Sequence, residues 1–73
     1  MNLKPGQRIE LVAMNDDPNP VPPGTRGTVR RLNHVGSGHD AFTQVDVAWD
    51  NGRSLMLVVP PDQYRIVEDL NSI

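Results

Sequence analysis

Apolar and polar residues alternate over several short stretches of this chain, with the period of two that a half-buried β-strand requires. Ile9, Leu11 and Ala13 share one parity and Arg8 and Glu10 the other, with Val12 breaking the polar side. Phe42–Trp49 repeats the pattern: Val45, Val47 and Trp49 lie on one face, Asp46 and Ala48 on the other, and Phe42 on either, depending on how the strand begins. Leu55, Leu57 and Val59 are in phase within 54–59, and Tyr64 and Ile66 within 64–67. A further strand runs from the Gly24–Gly27 region to about Leu32. Val29 and Leu32 cannot both face inwards on a regular strand, which predicts a bulge near Arg30–Arg31.

Seven prolines and six glycines separate these runs and leave no helical pattern of twelve or more residues outside the extreme C-terminus. Lys4-Pro5-Gly6 reads as a turn leading into the first strand, from Gln7. The stretch 15–24 holds four prolines and four Asn or Asp residues, so it is a long loop and not a ladder strand. Val21 is its one residue suited to pinning it onto a core. Gly24 and Gly27 stand where the backbone bends sharply or passes close to a neighbour. The stretch 34–40 is glycine-rich and suits a flexible hairpin tip. Asn51-Gly52 predicts a tight type I′ hairpin. Pro60-Pro61 ends the fourth strand, and Asp62 or Gln63 begins a short 3₁₀ turn before the fifth. The expected fold is all-β: a small five-stranded SH3-like barrel with a long proline-rich first loop.

Length confines this to a single domain over 1–73, with its core over about 4–67 and a tail, or one helical turn, over 68–73. A chain so short leaves little room for a cleft enclosing a substrate, since nearly every large apolar residue is needed for the core. The absence of cysteine excludes disulfides and thiolate chemistry and fits a cytoplasmic setting. Neither a signal peptide nor a run of the roughly 20 apolar residues that span a bilayer is legible, so no membrane association is expected. Net charge is −2, against a broadly basic surface. Even so, Arg26, Arg30, Arg31, His34 and His39 occur with no acidic residue among them. They form either a local basic face or ordinary solvated strand positions.

Pro-Gly-Thr-Arg-Gly-Thr-Val (Pro23 to Val29), Val-Ala-Trp-Asp-Asn-Gly (Val47 to Gly52), Gln-Tyr-Arg-Ile (Gln63 to Ile66) and Met14-Asn15-Asp16-Asp17-Pro18 narrow the comparison. From Lys4 to Val67 the chain resembles a family of small bacterial and phage proteins known only as a domain of unknown function. That family carries a Gly-Asp-Arg-Val-like opening, a Met-Asn-Asp-Pro loop and a Trp-Asp-Asn-Gly hairpin. Gln7 departs from the family's aspartate, and the 34–42 stretch is longer than its pattern. The resemblance implies a fold and no activity. More distantly, Gly-Thr-Arg-Gly-Thr-Val is similar to the opening of KOW modules, small barrels that contact RNA or proteins, although the same spacing serves any tight barrel corner.

The sequence shows no nucleophile beside a base and no separated carboxylate pair, so the chain is read as a binding module and not an enzyme, with no cofactor and no evident small-molecule substrate. Asp16-Asp17 suits a turn former, and Asp50 suits an acceptor for its own hairpin turn. His34, His39 and Asp40 follow no helix-based metal template. Trp49 reads as core, or as an aromatic contact at the barrel rim. Met56 and Val58 have outward parity and would join Val12 or Ala48 in an apolar stripe if those strands adjoin. Arg30, Arg31 and Arg53 would flank such a surface. The leading expectation is a bacterial or mobile-element module that binds a protein partner or itself as a homodimer. The alternative is a KOW-like nucleic-acid module using Arg26, Arg30, Arg31 and Arg53, with stacking from Phe42 or Tyr64.

Overall fold

The computed structural model describes residues 3–15 and 18–67. The expected readings of Asp16-Asp17 and of the tail from Glu68 lie outside the described residues. Five strands form one antiparallel sheet: β1 (Arg8–Ala13), β2 (Arg26–Val35), β3 (Phe42–Trp49), β4 (Leu57–Val59) and β5 (Gln63–Ile66), in the order β4-β3-β2-β1-β5. The sheet is barrel-like, as expected for an SH3-like fold, but β4 and β5 do not pair, so it is not closed. Among the described residues no helix is long and apolar enough to cross a membrane.

The alternating parity places the core. Ile9, Leu11, Val29, Val45, Val47, Trp49 and Leu57 are buried on the inner face, with Leu3 and Met14 beside them. Val21 is fully buried, so the proline-rich loop is pinned as its lone aliphatic side chain suggested. Register between β2 and β3 shifts between Val29 and Arg31, the bulge that the conflicting parity of Val29 and Leu32 requires. Antiparallel partners share a face. Val29, Leu32 and His34 therefore point inwards with Val47, Val45 and Thr43, and Arg31, Asn33 and Val35 point outwards with Asp46, Gln44 and Phe42.

Both glycines of the β2 approach act as their positions suggest, by different means. Gly24 has φ +91°, a conformation that other residues adopt only under strain. Gly27 leaves no room for a side chain: a Cβ there would stand 2.6 Å from Val47 Cγ1 and 3.0 Å from Trp49 Cε3.

Other expectations are corrected. The Asn51-Gly52 hairpin is not type I′, because among the described residues only glycines have positive φ, Gly52 included, and Asn51 does not. The chain instead closes a turn by donating from Gly52 N–H to the Trp49 carbonyl at 3.0 Å. It then crosses back so that Trp49 Nε1 donates to the Leu55 carbonyl at 2.7 Å. That bond takes Leu55 out of the ladder, so β4 begins at Leu57 and is half the expected length. β2 continues three residues past Leu32. The tip beyond it is not wholly irregular, since Gly38–Asp40 forms a 3₁₀ turn. None forms at Asp62–Gln63, because Asp62 is bonded to β4 and β5 has begun by Gln63.

Candidate binding face

The six residues singled out from the sequence do not form one patch. Met56 is 42% exposed, and Val58 is half-buried opposite Gln44. With Arg31, Leu32, Asn33, Gln44 and Asp46, Met56 lines a shallow concavity of about 310 Å³. The sheet supplies this arrangement because β2 and β3 adjoin and bring Arg31 and Asn33 beside Asp46 and Gln44, while Met56 stands just before β4, which pairs with β3. Val12 cannot extend the stripe: β1 is separated from β4 by β2 and β3, and its exposed side chain lies elsewhere. Ala48 adjoins on β3, beyond the three residues that pair with β4.

Most of the arginines have partners. The Arg31 guanidinium is 3.7 Å from Asp46 and 79% exposed, so it sits at the concavity's rim with its donors largely in solvent. Arg26 approaches Glu10 at 3.4 Å, and Arg65 shares the same carboxylate oxygen at 2.9 Å. Arg53 reaches the other way, donating from Nη2 to the Asn19 carbonyl at 2.6 Å and from Nη1 to the Pro20 carbonyl at 3.4 Å. It thus ties the proline-rich loop to the β3–β4 connection. Arg30, in the bulge, is exposed and is not drawn into an ion pair with any described residue.

Three polar devices escaped the sequence reading. Arg8 forks onto Asp50, with Nη1–Oδ1 at 2.8 Å and Nη2–Oδ2 at 2.6 Å, and the same Nη1 reaches Thr28 Oγ1. Asp50 is therefore not the acceptor of its own turn. Asn51 Oδ1 holds that place, accepting from Arg53 N–H at 3.0 Å. Hydrogen bonding to Arg8 holds the Asp50 carboxyl below the usual carboxylate range; slight burial opposes this, and the charges of Arg8 and Arg26 add to the lowering. A depressed native pKa contributes stability above the unfolded value, which is lost as pH falls through the native one. Asp50→Asn is thus expected to lower the thermal midpoint slightly at neutral pH, and the gap from wild type should close in acid. A pH series of melting curves checks this, and a gap that persists at low pH would place the effect elsewhere.

The second device is Asp62, a buried carboxylate that accepts from Val58 N–H at 2.8 Å while its own N–H donates to the Val58 carbonyl at 2.8 Å. The third is an amide pair on the outer face, with Asn33 Nδ2 donating to Gln44 Oε1 at 3.1 Å. Strand pairing places Arg8 beside Asp50 and Asn33 beside Gln44, so no local motif could have announced those two, whereas Asp62 closes on Val58 only four residues away. His34 is separated from His39 by the turn: its Nδ1 lies 2.9 Å from Thr43 Oγ1, whereas His39 is in the 3₁₀ segment. Among the described residues no group of three or more His, Cys, Asp or Glu gathers as metal ligands would.

Comparison with curated proteins and with solved structures returned no match. A domain of unknown function, DUF4314, matches residues 1–67. That span takes in all five strands, the proline-rich loop and the whole outward face, and the chain belongs to the DUF4314 family.

Proposed function

We propose that this domain is a non-enzymatic binding module that contacts protein through the outward face of β2, β3 and β4. The observation that carries this is the composition of the face. Thioether surface from Met56 borders the Asn33–Gln44 amide pair and the Arg31–Asp46 pair around one concavity, and Val58 lies beside it, opposite Gln44 on β4. Mixed apolar and charge-balanced surface suits a protein partner, whereas phosphate binding draws on uncompensated cations. Here Arg26 is shared with Glu10, Arg31 faces Asp46, and Arg53 is aimed at loop carbonyls. The polar side chains serve ion pairs and capping within the sheet, which favours a structural use of them over catalysis. A cytoplasmic setting accords with the absence of cysteine.

Nucleic-acid binding is the second reading, favoured only by the exposed Arg30 and the rim position of Arg31. Light-scattering mass, measured with short single- and double-stranded nucleic acid at low and physiological salt, separates the two. The mass is expected to be unchanged by nucleic acid at either salt. A salt-sensitive increase that Arg30→Ala, Arg31→Ala abolishes would put nucleic acid first.

A further inference from the structure

Four stretches of strand lack a neighbour in the described sheet: the outer edges of β4 and β5, the Trp49 end of β3 and the distal half of β2. The β4 edge is closed by its own chain, since both backbone groups of Val58 that face away from β3 are bonded to Asp62. The end of β3 carries the 50–56 segment, tied to it through the Trp49 carbonyl and indole. Among the described residues the other two edges are open.

The direction of the backbone groups on β2 follows from the ladder alternation. Val58 turns its N–H and C=O away from β3, so its partner Gln44 turns its own towards β2, where it meets Asn33. Asn33 is therefore bonded to β3. Leu32 and His34, on either side of it, direct their N–H and C=O away from β3, along the edge. β1 does not reach them: its register ends at Thr28, and the preceding turn bonds only as far as Val29, through Gly6 N–H and the Gln7 carbonyl. Four backbone groups of Leu32 and His34 thus stand without a backbone partner among the described residues.

Resting on the reading of the domain as a protein-binding module, we propose that its partner at this edge is a second copy of the same chain. The two β2 strands would pair antiparallel about a two-fold axis at Asn33. Leu32 then faces His34 of the other copy and His34 faces its Leu32, which satisfies all four groups on each strand. Arg31 falls opposite Val35, and the residue on the axis is a neutral amide, so no like charges meet. The equivalent pairing at β5 fails this condition. There Tyr64 and Ile66 carry the outward groups, because Val67 N–H bonds the Arg8 carbonyl and Glu10 pairs with Arg65. The axis would fall at Arg65 and set two guanidinium groups against each other, which is destabilising across a sheet. Of these two pairings, each centred between the residues with outward groups, the one at β2 keeps like charges apart.

Charge exchange at the axis tests the register. Wild type should roughly double in light-scattering mass as concentration rises, while Asn33→Asp and Asn33→Lys, each setting like charges face to face, should raise the dissociation constant several-fold. An equimolar mixture of the two should recover the dimer. Circular dichroism and melting curves confirm that both variants remain folded. Asn33→Cys should cross-link on oxidation, because facing non-hydrogen-bonded residues lie about 4.5 Å apart at Cα, within disulfide reach, whereas exposed Ser54→Cys should not. A wild type that stays monomeric to millimolar concentration overturns the proposal. So does a dimer indifferent to both charge variants, or one the mixture does not restore. None of these depends on nucleic acid, so failure here is distinguishable from failure of the protein-binding reading.

Discussion

Gly27→Ala should lower stability by about 1–3 kcal/mol, the range for forcing a methyl group into a packed core. At about 4–8 °C per kcal/mol for a domain of this size, the melting temperature should fall by roughly 4–24 °C. The cause is space and not dihedral strain, because Gly27 has no positive φ. Its missing side chain leaves room for Val47 Cγ1, for the Ala48 carbonyl at 3.0 Å and for the edge of the Trp49 ring. The β2–β3 register makes this unavoidable, since Gly27 lies opposite Trp49 and next to Val47 on the inner face. Val47→Ala alone should also destabilise. Combined with Gly27→Ala it should cost less than the sum of the two, because it removes the closest colliding atom. Denaturant melts of the four proteins check this, and simple additivity would mean that the backbone moves aside instead.

Asp62→Ala should cost about 1.5–3 kcal/mol, the usual worth of a hydrogen bond to a charged group together with the partner left unsatisfied. It should also change behaviour in solution. With its carboxylate gone, Val58 N–H becomes a free donor on the outermost strand while the backbone N–H of residue 62 still caps the Val58 carbonyl, and an edge uncapped even in part is a template for further pairing. The variant should therefore melt earlier and form species larger than a dimer, visible by sedimentation. Asp62→Asn, which keeps an acceptor oxygen, should recover part of both losses. Earlier melting with no change in association would limit Asp62 to local packing.

Much of this fold is legible in the order of residues because burial on one face of a strand writes itself as alternation. Ile9 and Leu11, then Val45, Val47 and Trp49, and later Leu57 are all core residues on parity alone. The bulge at Arg30–Arg31 is legible for the same reason, as a conflict of phase that only an extra residue resolves. Parity does not reveal where a strand yields to another partner. Leu55 has the right phase for β4, but the Trp49 indole claims its carbonyl, and the expected strand loses its first half. Asn51-Gly52 likewise suits a two-residue hairpin, yet the fork of Arg8 on Asp50 and the Trp49–Leu55 bond favour a wider connection.

The binding face is less legible, because a patch depends on which strands adjoin. Outward parity marks Met56 and Val58, but only the strand order decides that Met56 joins Arg31, Asn33, Gln44 and Asp46, with Val58 opposite Gln44, and that Val12 does not. The arginines look like one basic cluster along the chain. Pairing disperses them, with Arg26 towards β1, Arg31 towards β3 and Arg53 onto the proline-rich loop. Arg8, outside that cluster, makes the most complete ion pair. An open strand edge is a property of the backbone and leaves no mark on composition, which is why the β2 edge becomes visible only with the register in hand.

Amide hydrogen exchange along β2, measured across a concentration series, reaches the central claim most directly. The account predicts that Leu32 and His34 exchange rapidly in dilute protein and become protected as concentration rises, while Asn33, already bonded to β3, is protected throughout. Leu32 and His34 amides that exchange at the same rate in dilute and concentrated protein would contradict it.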